Sequence, residues 1–164
     1  MLLAREAQEA PEKLILLGDV LYHGPRNDLP RDYAPKQVIA QFSPLARKIL
    51  CVRGNCDTEV DQMVLPFPVL ADYGWLYLDG RTVYLTHGHV INKAHPLAFA
   101  KGDILLHGHT HIPACEDCGD FMYLNPGSVS IPKEGSAHSY MVYENGVFCW
   151  KDLLTGERYL EYRL

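Results

Sequence analysis

The sequence predicts an α/β domain in which two packed sheets are flanked by helices, and two observations lead there. In the first part of the chain, short apolar runs alternate with helical stretches, and several of those runs end in glycine followed by Asp or Asn. The last third is different, a succession of strand-like runs separated by Asn-Gly and Thr-Gly turns, as in an antiparallel meander. Packing two sheets under helices buries the apolar faces of both parts. At 164 residues the chain is expected to be a single domain, 1–164, with a sizeable core.

Taken in order, "KLILLGDV" (13–20) reads as a strand buried on both faces. "PKQVIAQFSPLARK" reads as a helix broken near Pro44, and "KILCVRGN" (48–55) as a second buried strand. "TEVDQMVL" (58–65) predicts a short helix with Thr58 as N-cap and Asp61 at the third helical position. "WLYLDGRTVYLTHGH" is a hairpin turning at Asp-Gly, and a short, partly helical link (95–101) leads to the strand "DILLHGHTH". "CEDC" lies where two strands meet, which favours a hairpin loop with incidental thiols over a zinc or redox site.

Composition narrows the function. A net charge of -5 argues against long nucleic acid as a partner, because phosphate backbones demand basic surface. No apolar run approaches the roughly 18 residues of a membrane span. The N-terminal "MLLAREAQEA" lacks the pattern of a secretory signal, and the five cysteines are odd in number and irregularly spaced. A reduced, cytoplasmic protein is expected.

The strand ends carry the chemistry. Asp19 follows the first strand, Asn55 and Asp57 the second, His87 and His89 another, and His107, His109 and His111 crowd the end of "DILLHGHTH". In open α/β sheets, ligands gather beyond the carboxyl ends of strands. Four such ends with imidazole, amide and carboxylate groups in glycine-containing turns point to a metal site. The ligand types suit Zn, Mn, Fe or Ni better than a structural thiolate site.

"GDVLYHGP", "GNCD", "THGH" and "GHTH", in this order and spacing, resemble the calcineurin-like metallophosphoesterases from about residue 1 to about residue 150. The resemblance implies an αββα sandwich of two mixed sheets. It also implies a phosphodiesterase that hydrolyses phosphate diesters through a dinuclear metal centre, commonly with Mn. Asp19 would bridge the two metals; Asn55, His87 and His109 would complete one site, and His111 would belong to the other. Catalytic positions are expected at Asn55, His87 and Cys56. Relatives carry a histidine at the position of Cys56, suited to protonating the leaving oxygen. A thiol there favours good leaving groups such as aryl esters, or is an inert spacer.

His23 and Arg26 could bind a substrate phosphate, or belong to a turn at Gly24-Pro25; His89 could contact substrate or serve behind the ligands. His107, directly after the strand, is expected to pack. The family pattern also begins with a strand ending in D-x-H, whose Asp and His join His111, and nothing precedes "MLLAREAQEA". The expectation is therefore a first strand that is missing, a second ion that is poorly held, and exposed strand edges that favour a homo-oligomer. A metal-binding or partner-binding scaffold on the same fold is the alternative to an enzyme with a small phosphodiester substrate.

Overall fold

A computed structural model of the protein describes residues 2–164. The chain opens with α1 (Leu2–Glu9), β1 (Leu14–Leu16), α2 (Pro35–Phe42), a single 3-10 turn at Ser43–Leu45, β2 (Ile49–Cys51) and α3 (Glu59–Val64). The strands then come in quick succession: β3 (Tyr73–Leu78), β4 (Arg81–Thr86), β5 (Asp103–His107), β6 (Pro113–Asp117) and β7 (Phe121–Pro126). A meander of β8 (Ser139–Glu144), β9 (Val147–Asp152) and β10 (Arg158–Arg163) ends the fold.

Local chemistry accounts for most of these boundaries. Pro35 opens α2, where its missing N–H costs nothing, and Pro44 tightens the chain into the 3-10 turn. The Asp61 carboxylate accepts the Thr58 N–H at 2.7 Å, holding the first turn of α3 as expected from the sequence. Asp79-Gly80 and Asn145-Gly146 all take positive φ, the geometry of type I′ hairpin turns that fits the twist of the strands they join.

The central sheet has the order β3-β4-β5-β7-β6, with β4, β5 and β7 parallel and antiparallel hairpin partners at both edges. Every residue of β5 is buried, because the strand has neighbours on both sides and packed material on both faces. The three-stranded meander and the parallel pair β1-β2 form separate hydrogen-bonded sheets. Both pack on one face of the central sheet: Ile15 and Leu17 near β1, Val52 after β2, and Phe148 and Trp150 of β9 join Val83, Leu85, Ile104, Leu106 and Leu124 in one apolar cluster. On the far side of β1-β2 a second cluster packs Phe42 of α2 with Leu21, Ile49, Leu65, Phe67 and Val69. Helix, sheet, sheet is the observed layering.

Several sequence expectations change. The strands read at 13–20 and 48–55 shrink to three residues each, and β1 is only half buried. The apolar run fixes burial on the helix side, but the chain leaves the ladder before Gly18 to form the site loop. The link at 95–101 contains no helix; it runs extended, with Phe99 packed on Tyr84 and Phe121 at 5.0 and 4.6 Å. It thereby covers the outer face of the central sheet, a task that the sequence suggested for a helix. Cys115 lies within β6 and Cys118 in the following turn, and all five cysteines are free. No helix is long and apolar enough to cross a membrane among the described residues.

Candidate metal centre

Two short loops from the β1-β2 side meet two from the central sheet. Gly18 and Gly54 touch backbone to backbone: a Cβ on Gly18 would collide with the Gly54 amide, and one on Gly54 with Asp19. Only glycine permits this approach. Asp57, 2% exposed, holds the loops together by accepting three backbone N–H groups, from Asp19 and Gly54 at 2.8 Å and from Val20 at 2.9 Å. Burial pushes the Asp57 carboxyl up from its usual range, against the pull of those three donors. Its place in "GNCD" suggested a ligand; its position makes it a clamp instead.

Asp19 projects from the first loop at φ 55, and the Cys56 N–H donates to its Oδ1 at 2.9 Å. His109 and His111 also occupy the left-handed region, at φ 63 each. Three non-glycine residues in that region at one site mark a backbone bent to aim side chains. The loop that carries them is anchored from below by Asn125, whose buried amide donates to the Gly108 carbonyl at 2.9 Å and to Thr110 Oγ1 at 3.0 Å.

The His87 ring is fixed from behind. Its Nδ1 donates to the Leu17 carbonyl at 2.6 Å, which turns Nε2 toward the cluster. There Nε2 meets His109 Nδ1 at 3.0 Å, Asn55 Oδ1 at 3.1 Å and Asp19 Oδ2 at 3.3 Å. One ring nitrogen offers at most one hydrogen to these three acceptors. The lone pairs left over form a nitrogen, nitrogen, carboxylate and amide set that matches a divalent cation. Ligand atoms of Asp19, His87 and His109 all lie within 4.8 Å of one another.

Without an ion the same groups pair with one another. Burial opposes charge on Asp19, but the His87 ring and the Cys56 amide outweigh it and hold the carboxyl below its usual range. Burial likewise opposes charge on His87, yet the Asp19 carboxylate raises it. Burial and the neighbouring His87 push His109 down to about 4, leaving its nitrogen unprotonated near neutrality. His111 donates Nδ1 to the Ile131 carbonyl at 2.8 Å; burial, with the nearby Lys133 charge assisting, lowers it.

The cluster forms the floor of a cleft of about 560 Å³, lined by Asp19, Asn55, His109 and His111 and walled by His23, Arg26 and Lys133. Thus His23 and Arg26 reach the cleft wall, with the His23 ring between Tyr22 and Tyr33 at 4.6 and 5.1 Å. His89 is exposed, with its ring 5.3 Å from that of His87, and is not among the cleft-lining residues. His107 is buried and stacked on Tyr123 at 4.4 Å, the packing role expected of it. Cys56 departs from expectation: it is buried, absent from the cleft lining, and its thiol is pushed up by burial and the Asp19 charge to about 11. A proton donor near neutral pH needs access and a lower affinity for its proton. Both the backbone N–H and the thiol of Cys56 lie against Asp19, and the Asn55 amide donates to the thiol sulfur at 3.1 Å, so the residue braces the ligands.

Fold and site define a metallophosphoesterase, and the chain belongs to the calcineurin-like phosphoesterase superfamily, whose domain description matches residues 2–145. It is 47% identical over 141 residues to phosphodiesterase YfcE of Escherichia coli, covering 86% of this chain and 77% of that one. The solved structure of YfcE, described as a phosphoesterase, superposes with a TM-score of 0.94 at 42% identity, over 98% of this chain and 88% of that one. Vps29 of Entamoeba histolytica shares the fold at 19% identity, with a TM-score of 0.56 over 93% of this chain and 98% of that one.

Proposed function

We propose that the chain is a metal-dependent phosphodiesterase, with Asp19, Asn55, His87 and His109 holding one divalent ion and Asp19 with His111 facing a second. The observation that carries this reading is the convergence of three acceptors on His87 Nε2 at the floor of the cleft. The name of the E. coli relative, a phosphodiesterase, supports the choice of diesters. Mn is the proposed metal and the cytoplasm the proposed compartment.

A divalent ion in such a site supplies Lewis-acid polarisation of the phosphoryl group and a nucleophilic water at neutral pH. The protein's own part is positional. The Leu17 carbonyl keeps His87 in one tautomer, and the Cys56 amide keeps one Asp19 oxygen turned inward. Arg26 offers a planar donor pair to a phosphate oxygen, and His23 forms the wall beside it. With the Cys56 thiol buried and holding its proton up to about 11, the side chain at that position is a poor proton donor to the leaving oxygen. Esters with acidic leaving alcohols should therefore turn over far faster than alkyl esters.

Metal content by mass spectrometry, followed by hydrolysis of bis(4-nitrophenyl) phosphate with added Mn, tests the reading. Bound metal with metal-dependent release of 4-nitrophenol is expected. Metal-loaded protein without turnover would replace the enzyme with a metal-binding scaffold on the same fold. That second reading draws on one observation: among the described residues, His111 is not part of the group whose ligand atoms converge, and Asp19 is the one carboxylate lining the cleft.

A further inference from the structure

We propose that Lys133, acting with Arg26, makes the cleft selective for phosphodiesters that carry a second phosphate, such as a nucleotide ester with a free terminal phosphate. This rests on the phosphodiesterase reading above and names its substrate class.

Three observations support it. First, Lys133 is fixed beside the site. His111 donates to the Ile131 carbonyl at 2.8 Å while the Lys133 N–H donates to the His111 carbonyl at 3.2 Å, so the segment is bonded to the histidine at two points. The turn that follows is closed by Ser136, whose N–H and hydroxyl donate to the Lys133 carbonyl at 3.0 and 2.7 Å.

Second, the two cationic side chains of the cleft stand on different flanks. Arg26 is near Cys56, which lies under the Gly24 loop, and Lys133 is near His111. Neither makes an ion pair among the described residues, although acidic groups outnumber basic ones over the whole chain.

Third, the charges do not balance for a simple diester. One divalent ion beside the Asp19 carboxylate leaves one positive charge and a second ion adds to it, while a diester brings a single negative charge. Arg26 and Lys133 then remain, in a walled cleft that concentrates their field on an otherwise acidic molecule. A terminal phosphate supplies the charge that they lack, and Lys133 meets it as a mobile point charge on a flexible stem.

The test compares the 4-nitrophenyl ester of thymidine 5′-phosphate with the same ester bearing a 3′-phosphate, at fixed ionic strength. The wild-type protein should prefer the 3′-phosphorylated ester by about tenfold in kcat/KM, the worth of one charge-assisted contact. Lys133→Met should remove most of that preference and Lys133→Arg should retain it. An equal rate for the two esters, or a preference that survives in Lys133→Met, overturns the proposal. If neither ester turns over, the phosphodiesterase reading fails instead. Calorimetric binding of adenosine 3′,5′-bisphosphate against adenosine 5′-monophosphate to metal-free protein then still decides the role of Lys133: a gap in affinity that closes in Lys133→Met supports it, and no gap overturns it. Lys133 is exposed, so these variants should melt as the wild type does.

Discussion

Two carboxylates at the residue scale divide the labour of the centre. Asp19 faces the ligand atoms and Asp57 faces backbone amides, although each follows a short strand and a glycine turn. Asp19→Ala should abolish metal binding more completely than His111→Ala, because Asp19 serves both proposed sites; mass spectrometry of the purified variants checks this, and equal occupancy in wild type and Asp19→Ala would refute the assignment. Asp57→Ala should act through the fold, leaving one buried and two half-buried N–H groups without their acceptor and costing about 3 kcal/mol, measured by denaturant unfolding. The sequence made Asp19, His87, His109 and His111 legible because each follows a strand run and a small turn. Asp57 and Lys133 were not legible as what they are. A carboxylate three residues past Gly54 can point either way, and Lys133 reaches His111 only through backbone bonds across a gap of some twenty residues that no spacing rule anticipates.

At the scale of elements, α1 is held to the meander by a half-buried polar contact rather than by its apolar face alone. Glu9 accepts from Tyr140 at 2.7 Å and from Lys151 at 2.8 and 2.9 Å, and Arg5 donates to the Leu153 and Leu154 carbonyls at 3.0 and 2.6 Å. Burial alone would raise Glu9, but Lys151 and Tyr140 prevail and hold it below the usual value near 4.5. The contribution of this contact is thus complete above pH 4.5 and is lost as pH falls through the lower folded value. Glu9→Gln should cost about 1 kcal/mol at pH 7, with the gap in melting temperature to wild type closing as pH falls through the lowered folded value. The hairpins were legible element by element, since Asp79-Gly80 and Asn145-Gly146 dictate their turns. The link at 95–101, expected to be partly helical, has no helix because Phe99 there packs on the face of the central sheet, which only the folded molecule presents.

On the scale of the whole molecule, the centre straddles a seam. Asp19 and Asn55 come from the β1-β2 piece and His87 and His109 from the central sheet, and the Leu17–His87 bond already crosses between them. An ion gripping all four would be a rivet joining two layers that share no strand-to-strand ladder. Binding to the folded state alone stabilises it by mass action, so excess Mn should raise the melting temperature of the wild type and not that of Asp19→Ala. The gain should be local as well as global. In hydrogen exchange, a chelator should speed the amides of β1, β2 and their loops while the meander β8–β10 stays protected; uniform acceleration across both would contradict it. The layering was legible in the sequence as two sheets, but the division of one layer into two separate ladders was not, because strand runs reveal which segments pair and not which neighbours stop short. Metal supply would then govern more than turnover: in a cell starved of the ion, the piece bearing Asp19 would spend more of its time detached, and the protein would become vulnerable to proteases there first.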